Sequence, residues 1–171
     1  NPLLEAVEPP PVAMVQSWTA GRQFPTNRPL LDLGQAAPGW PMADALTTHV
    51  AEQLAMPGNS GYAPILGHPA LRTALADETQ RIYGGKITSD QVAITIGCNQ
   101  AFVVAAMAVA RAGDAIMLPV PWYFNHKMTL DMLGIEAQPL PCRIEDSMIP
   151  DVETAERAIT PRTRAIVLVT P

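Results

Sequence analysis

The chain has 171 residues, 48% of them hydrophobic and 16% charged, with a formal net charge of −5. This is enough apolar chain for one domain with a real core, and it argues against disorder over most of the length. The negative balance argues against a nucleic-acid backbone or an anionic membrane as main partner, and no apolar run approaches the roughly 20 residues of a membrane-spanning helix.

The N-terminal stretch Asn1 to Pro29 carries Pro2, Pro9, Pro10, Pro11, Pro25 and Pro29. Each proline removes a backbone donor and biases its predecessor toward extended geometry. The stretch reads as an arm with one short helix near Val12–Ala20, either lying across another surface through Val15, Trp18 and Phe24 or hanging free. It is acidic and lacks the basic and apolar regions of a secretory signal. Leu30–Leu33 is extended and Gln35–Pro41 is a turn-rich loop. Asp44–Ala55 predicts a helix with Leu46, Val50 and Leu54 on one stripe. A Pro/Gly-rich loop, Met56–Gly67, carries Tyr62. His68 or Pro69 opens the next helix, which shows Leu71, Leu75 and Ile82 on its stripe and stops after Tyr83 at Gly84-Gly85.

Beyond this point strands and helices alternate. The pattern predicts strands at Gln91–Ile96, Ala115–Pro119, Ile135–Leu140 and Arg164–Thr170, and helices at Asn99–Arg111, Tyr123–Leu133 and Asp151–Ile159, with Gly134 ending the second helix and Asp151 capping the third. The last strand is nearly all apolar, as strands buried on both faces are. The fold class is α/β: three layers around a mainly parallel sheet. A chain that stops just after such a strand leads to the expectation of an N-terminal part of a longer polypeptide.

Two loops fall at the carboxyl edge of that sheet, where open α/β sheets hold ligands. In the first, Val92-Ala93-Ile94-Thr95-Ile96 stops at Gly97 and turns at once into a helix. The unpaired N–H groups of such a first turn, with the helix dipole, suit a phosphate. In the second, Pro121-Trp122-Tyr123-Phe124-Asn125-His126 sets aromatic rings beside it. The rings are either ordinary core aromatics or a stacking face for a flat, phosphorylated heterocycle. Cys98 stands at the helix N-terminus, where a thiol can be activated, but no His or acid lies nearby in sequence, which favours a role for its backbone. Cys142 looks inert. The two cysteines show no disulfide framework, and neither they nor His49, His68 and His126 have metal-ligand spacing, so no metal site is expected. A reducing, cytoplasmic setting is the default.

The segments Tyr62-Ala63-Pro64-Ile65-Leu66-Gly67-His68-Pro69-Ala70-Leu71-Arg72, Ile96-Gly97-Cys98-Asn99-Gln100-Ala101, Ala112-Gly113-Asp114 and Pro121-Trp122-Tyr123-Phe124-Asn125-His126 follow one another in order. Together they resemble the fold-type I, class I/II aminotransferases that use pyridoxal 5′-phosphate, over residues 30–171. The resemblance implies a PLP-dependent transferase fold with an N-terminal arm and start of the small domain at 1–43 and a truncated cofactor-binding large domain at 44–171. It implies a homodimer acting in amino-acid metabolism, moving an amino group between an amino acid and a 2-oxo acid. The cofactor phosphate would meet Gly97, Cys98 and Asn99. Tyr123 would stack on the pyridine ring, with Trp122 ranked second, and Asn125 and His126 would support the ring edge. Tyr62 would reach the phosphate of the neighbouring subunit. Ala36 stands where a family glycine touches the substrate carboxylate, which puts that contact in doubt.

The resemblance also implies a lysine that forms a Schiff base with the cofactor. The chain has only Lys86 and Lys127, neither in the family's context, so no catalytic residue is assigned and the 171 residues alone are expected to be inactive. Two other readings remain: a non-catalytic binding or regulatory module that keeps the fold, and a nucleotide-binding or methyl-transferring domain. The second is weakened because the first turn lacks G-x-G-x-x-G.

Overall fold

The computed structural model describes residues 1–35 and 37–169. In chain order the elements are α1 (Pro2–Glu5), α2 (Pro11–Thr19), α3 (Asp44–Ala55), α4 (Pro69–Tyr83), α5 (Gly97–Val109), β1 (Ala115–Val120), α6 (Phe124–Leu133), β2 (Glu136–Pro141), α7 (Val152–Ala158) and β3 (Thr163–Ile166), with a single 3-10 turn at Ser89–Gln91. The chain forms two compact units, one of Asn1–Gly34 with Ile96–Pro171 and one of Gln35–Thr95.

The first unit is built on a parallel sheet of order β2-β1-β3. β1 is the central strand because Ala115-Ile116-Met117-Leu118 is apolar throughout, and each of these residues is at most 2% exposed. Ile116 and Leu118, two residues apart and so on one face of the strand, join Ala106 of α5, Leu130 of α6 and Ile135 in the core cluster. Ala115 to Val120 pair with Glu136 to Pro141 in continuous register, whereas pairing with β3 is interrupted between Ala115 and Ile116. Gly134, at φ +68°, ends α6, and its carbonyl accepts from the Gly113 N–H at 2.9 Å. At the amino end of β1, the Asp114 carboxylate accepts from the Arg111 N–H at 3.2 Å and pairs with Arg164 Nε at 3.2 Å. Both contacts hold the carboxyl below its ordinary value, the Arg111 bond most.

Two strand expectations need correction. The last strand is not buried on both faces. It is the short edge strand β3, with Ile166 43% exposed and Leu168 and Val169 beyond its end each 64% exposed. Its apolar run reflects β propensity without cover on its outer side. The segment at Gln91–Ile96 is not a strand of the described sheet. Gln91 closes a capping box with Thr88, and the backbone groups that follow find other partners. The Val92 carbonyl accepts from Arg72 Nε at 2.8 Å, and the Ile94 N–H donates to the Leu66 carbonyl at 3.0 Å. The expected α2 is present, and a further single turn, α1, precedes it with Asn1 as its cap.

The second unit rests on α4 and the turn at Ser89–Gln91. Arg72 donates to the Val92 and Ser89 carbonyls, at 2.8 and 2.6 Å, and so ties the two pieces together. Gly67, at φ +94°, closes a turn on Pro64 at 2.8 Å, and a Cβ there would lie 2.6 Å from Ile94 Cβ. Left-handed backbone and close approach together require glycine at this position. The stripe Leu46, Val50 and Leu54 of α3 stays exposed, at 51, 44 and 75%.

Candidate functional site

The site in the sheet-bearing unit follows from chain direction. α5 leads through Gly113-Asp114 into β1 and so runs against it, which returns the α5 N-terminus to the carboxyl end of β1. α6 starts just past that end. The helices pack where Phe102 of α5 stacks on His126 of α6, with centroids 4.0 Å apart and planes inclined by 23°. Asn99 and Asn125, from the two first turns, line one groove.

At the α5 mouth Gly97 has φ +83°. The N-cap residue Ile96 has no side-chain acceptor for the first turn, and Gln100 Oε1 folds back to accept from the Ile96 N–H. The backbone of Cys98 and Asn99 is thus presented at the positive end of a 13-residue helix, and both residues are exposed.

After β1 the chain turns through a cis Val120–Pro121 peptide. Trp122 is half-buried against the core cluster, with Lys127 Nζ 6.0 Å from its ring centroid. Tyr123 is the N-cap residue of α6 and is 41% exposed. Its hydroxyl accepts from Asn125 Nδ2 at 2.6 Å, and its ring meets His126 edge-on at 5.1 Å. Burial pushes the His126 imidazole below its ordinary value of 6.5, so it is neutral at pH 7.

A cleft of about 290 Å³ opens beside these rings, between the carboxyl ends of β1 and β3. Its walls include Val120, Tyr123, His126, Cys142, Met148 and Val167. The sheet order changes direction at β1, since α6 leads to β2 on one side and α7 leads back to β3 on the other. This is where open α/β sheets bind ligands.

The structure therefore brings Gly97, Cys98, Asn99, Tyr123, Asn125 and His126 to one sheet edge. Tyr62 belongs to the other unit, where it is fully exposed on its loop. Ala36 lies outside the described residues. Lys127 is half-buried, and its Nζ is 2.6 Å from Asp131 Oδ2, one helical turn along α6. Sequence reasoning missed Phe102, Cys142 and Met148. Cys142 had a signal, because it follows β2 directly and a parallel neighbour of β1 ends at the same edge. Its N–H donates to the Val120 carbonyl at 3.0 Å, and it lines the cleft.

Residues 28–171 match the family model described as aminotransferase class I and II. The chain is 34% identical over 117 residues to an aspartate/prephenate aminotransferase of Thermus thermophilus, an alignment that covers 67% of this chain and 30% of that protein. It is 30% identical over 165 residues to an aromatic aminotransferase of Arabidopsis thaliana, covering 95% of this chain and 40% of the relative. Its backbone superposes on the Thermus thermophilus aspartate aminotransferase solved with maleate at a TM-score of 0.86, with 26% identity, over 98% of this chain and 44% of that one. The chain thus spans less than half the length of each of these relatives.

Proposed function

The chain belongs to the class I and II aminotransferases, and from that premise we propose that the protein uses pyridoxal 5′-phosphate to move an amino group between an amino acid and a 2-oxo acid. The observation that carries the reading is the meeting of an anion-binding helix mouth and an exposed aromatic ring at one sheet edge, joined by the Phe102–His126 stack. The donor set fits the cofactor: backbone N–H groups and an amide for a phosphate, and a flat ring over an apolar cleft for a pyridine.

When bound, the cofactor supplies the electron sink that amino-group transfer requires. The residues of this chain bind and orient it. Cys98 and Asn99 offer backbone N–H groups to the phosphate, and the Asn99 side chain adds a further donor. Tyr123 presents its open face, while Trp122 anchors the loop to the core. His126, neutral at pH 7, adds no positive charge to the cleft wall. Leu118, Val167 and Met148 make that wall apolar, which limits water near the ring. The catalytic amine is not assigned to Lys86, exposed in the other unit, or to Lys127, held by Asp131.

The same reading includes a homodimer in which the exposed Tyr62 contributes to the partner's phosphate site, in a reducing, cytoplasmic setting that suits the free thiols of Cys98 and Cys142. The test is a titration of the whole protein, since no catalytic amine is assigned among these 171 residues, with pyridoxal 5′-phosphate, followed by absorbance, and then addition of amino acids with a 2-oxo acid. A saturable spectral change that amino acids alter, with amino-group exchange in the products, is the expected result. No saturable change overturns the reading; binding without exchange favours a non-catalytic module of the same fold.

A further inference from the structure

We propose that Asn125 is a positioning residue that locks the Tyr123 ring in the orientation needed to stack on a planar ligand. This rests on the cofactor reading above, and it adds a residue whose part in that site is to hold another. A tyrosine side chain has two rotatable bonds that matter for stacking, and each meets a separate restraint here. The Tyr123 oxygen lies on the axis of ring rotation. The Asn125 Nδ2 bond to it, at 2.6 Å, therefore fixes where the ring axis points but not how the ring is turned about it. Rotation is limited by the His126 ring, which meets Tyr123 at 5.1 Å with an interplanar angle of 87°. His126 is in turn fixed by its stack on Phe102 at 4.0 Å. The two restraints come from adjacent residues of the first turn of α6, so they are built on a rigid element.

The consequence is pre-organisation. A loose ring at this 41% exposed position would lose rotational freedom when a ligand stacks on it. A ring already held loses little, and ordering one such side chain typically changes affinity by about fivefold. Tyr123 accepts the bond from Asn125, so its own hydroxyl hydrogen remains available to a further acceptor.

The experiment is a double-mutant cycle on the protein with pyridoxal 5′-phosphate as the probe, read by equilibrium dialysis, and with near-ultraviolet circular dichroism read without ligand. The variants are Asn125→Ala, Tyr123→Phe, their combination and Asn125→Asp. Asn125→Ala is expected to weaken binding about fivefold in the parent and to have no effect in the Tyr123→Phe background. The dichroic band that Tyr123→Phe removes should also collapse in Asn125→Ala. Asn125→Asp should restore both, because the tyrosine hydroxyl can donate to a carboxylate and an acidic residue suits a helix first turn. An unchanged band and unchanged affinity in Asn125→Ala overturn the inference, as does an equal loss of affinity in both backgrounds. A parent protein that binds no pyridoxal phosphate overturns the functional reading instead, and the dichroic band then decides alone whether Asn125 holds the ring.

Discussion

The two compact units obey different rules. In the sheet-bearing unit, β1 is covered by its neighbouring strands and by α5 and α6, and its residues Ala115 to Leu118 are at most 2% exposed. In the unit of residues 35–95, α4 contributes one buried residue, Ala76, and α3 contributes none. Yet the sequence marks an apolar stripe on both α3 and α4, while in the sheet-bearing unit α5 buries Ala106 and α6 buries Thr129 and Leu130. The difference teaches that a stripe marks which face is available for burial, while only a layer packed against it turns that face into stability.

The strongest way to break this contrast is to truncate one side chain in each unit. Leu130, fully buried under the sheet, should cost about 3 kcal/mol as Leu130→Ala in urea unfolding. If Leu130→Ala unfolds at the parent midpoint, the sheet unit does not carry the core. Next in size is Gly67→Ala, where left-handed backbone and the 2.6 Å approach to Ile94 act together. We expect a loss of about 2 kcal/mol, with faster amide hydrogen exchange concentrated in residues 35–95. Exchange rising equally in β1 would show that the two units do not open separately.

A smaller effect concerns acid. The Arg111 N–H and Arg164 hold Asp114 below its ordinary value of 3.8. Its stabilisation is therefore complete above that value and is lost as pH falls through the lower value of the folded state. Asp114→Asn should lower stability at neutral pH and flatten the decline below about pH 4. A mutant that keeps the full parental acid slope would assign that slope to other carboxylates. Smallest of all is Leu54→Ala on the exposed face of α3, expected to change stability by less than about 0.5 kcal/mol. A large loss there would mean that this stripe is covered in solution.

Much of the candidate site is legible in the amino-acid sequence. The Gly97 turn marked a helix mouth and Pro121 to His126 marked an aromatic loop, but the strand expected before Gly97 is not in the described sheet, and it is α5 running against β1 that brings the two together. The roles of Trp122 and Tyr123 were not separable in that way, since adjacent aromatic residues carry the same signal. Packing separates them, with Trp122 against the core and Tyr123 at the rim. Phe102 and Met148 were not legible because the stack of Phe102 on His126 and the place of Met148 in the cleft wall depend on contacts between distant segments.

By itself the sequence determined the alternation of helices and strands from α5 to β3, the helix stops at Gly84 and Gly134, the parallel α/β class and the family. These follow from local backbone preferences and from periodicities of two and 3.6 residues, which are written along the chain. Only the tertiary structure decided that β1 is central and β3 an edge, that the stretch before Gly97 spends its hydrogen bonds on Arg72 and Leu66, and that Asn125 reaches the Tyr123 hydroxyl. Each of these depends on which surfaces meet, and a local pattern states what a segment can bury without stating what will cover it.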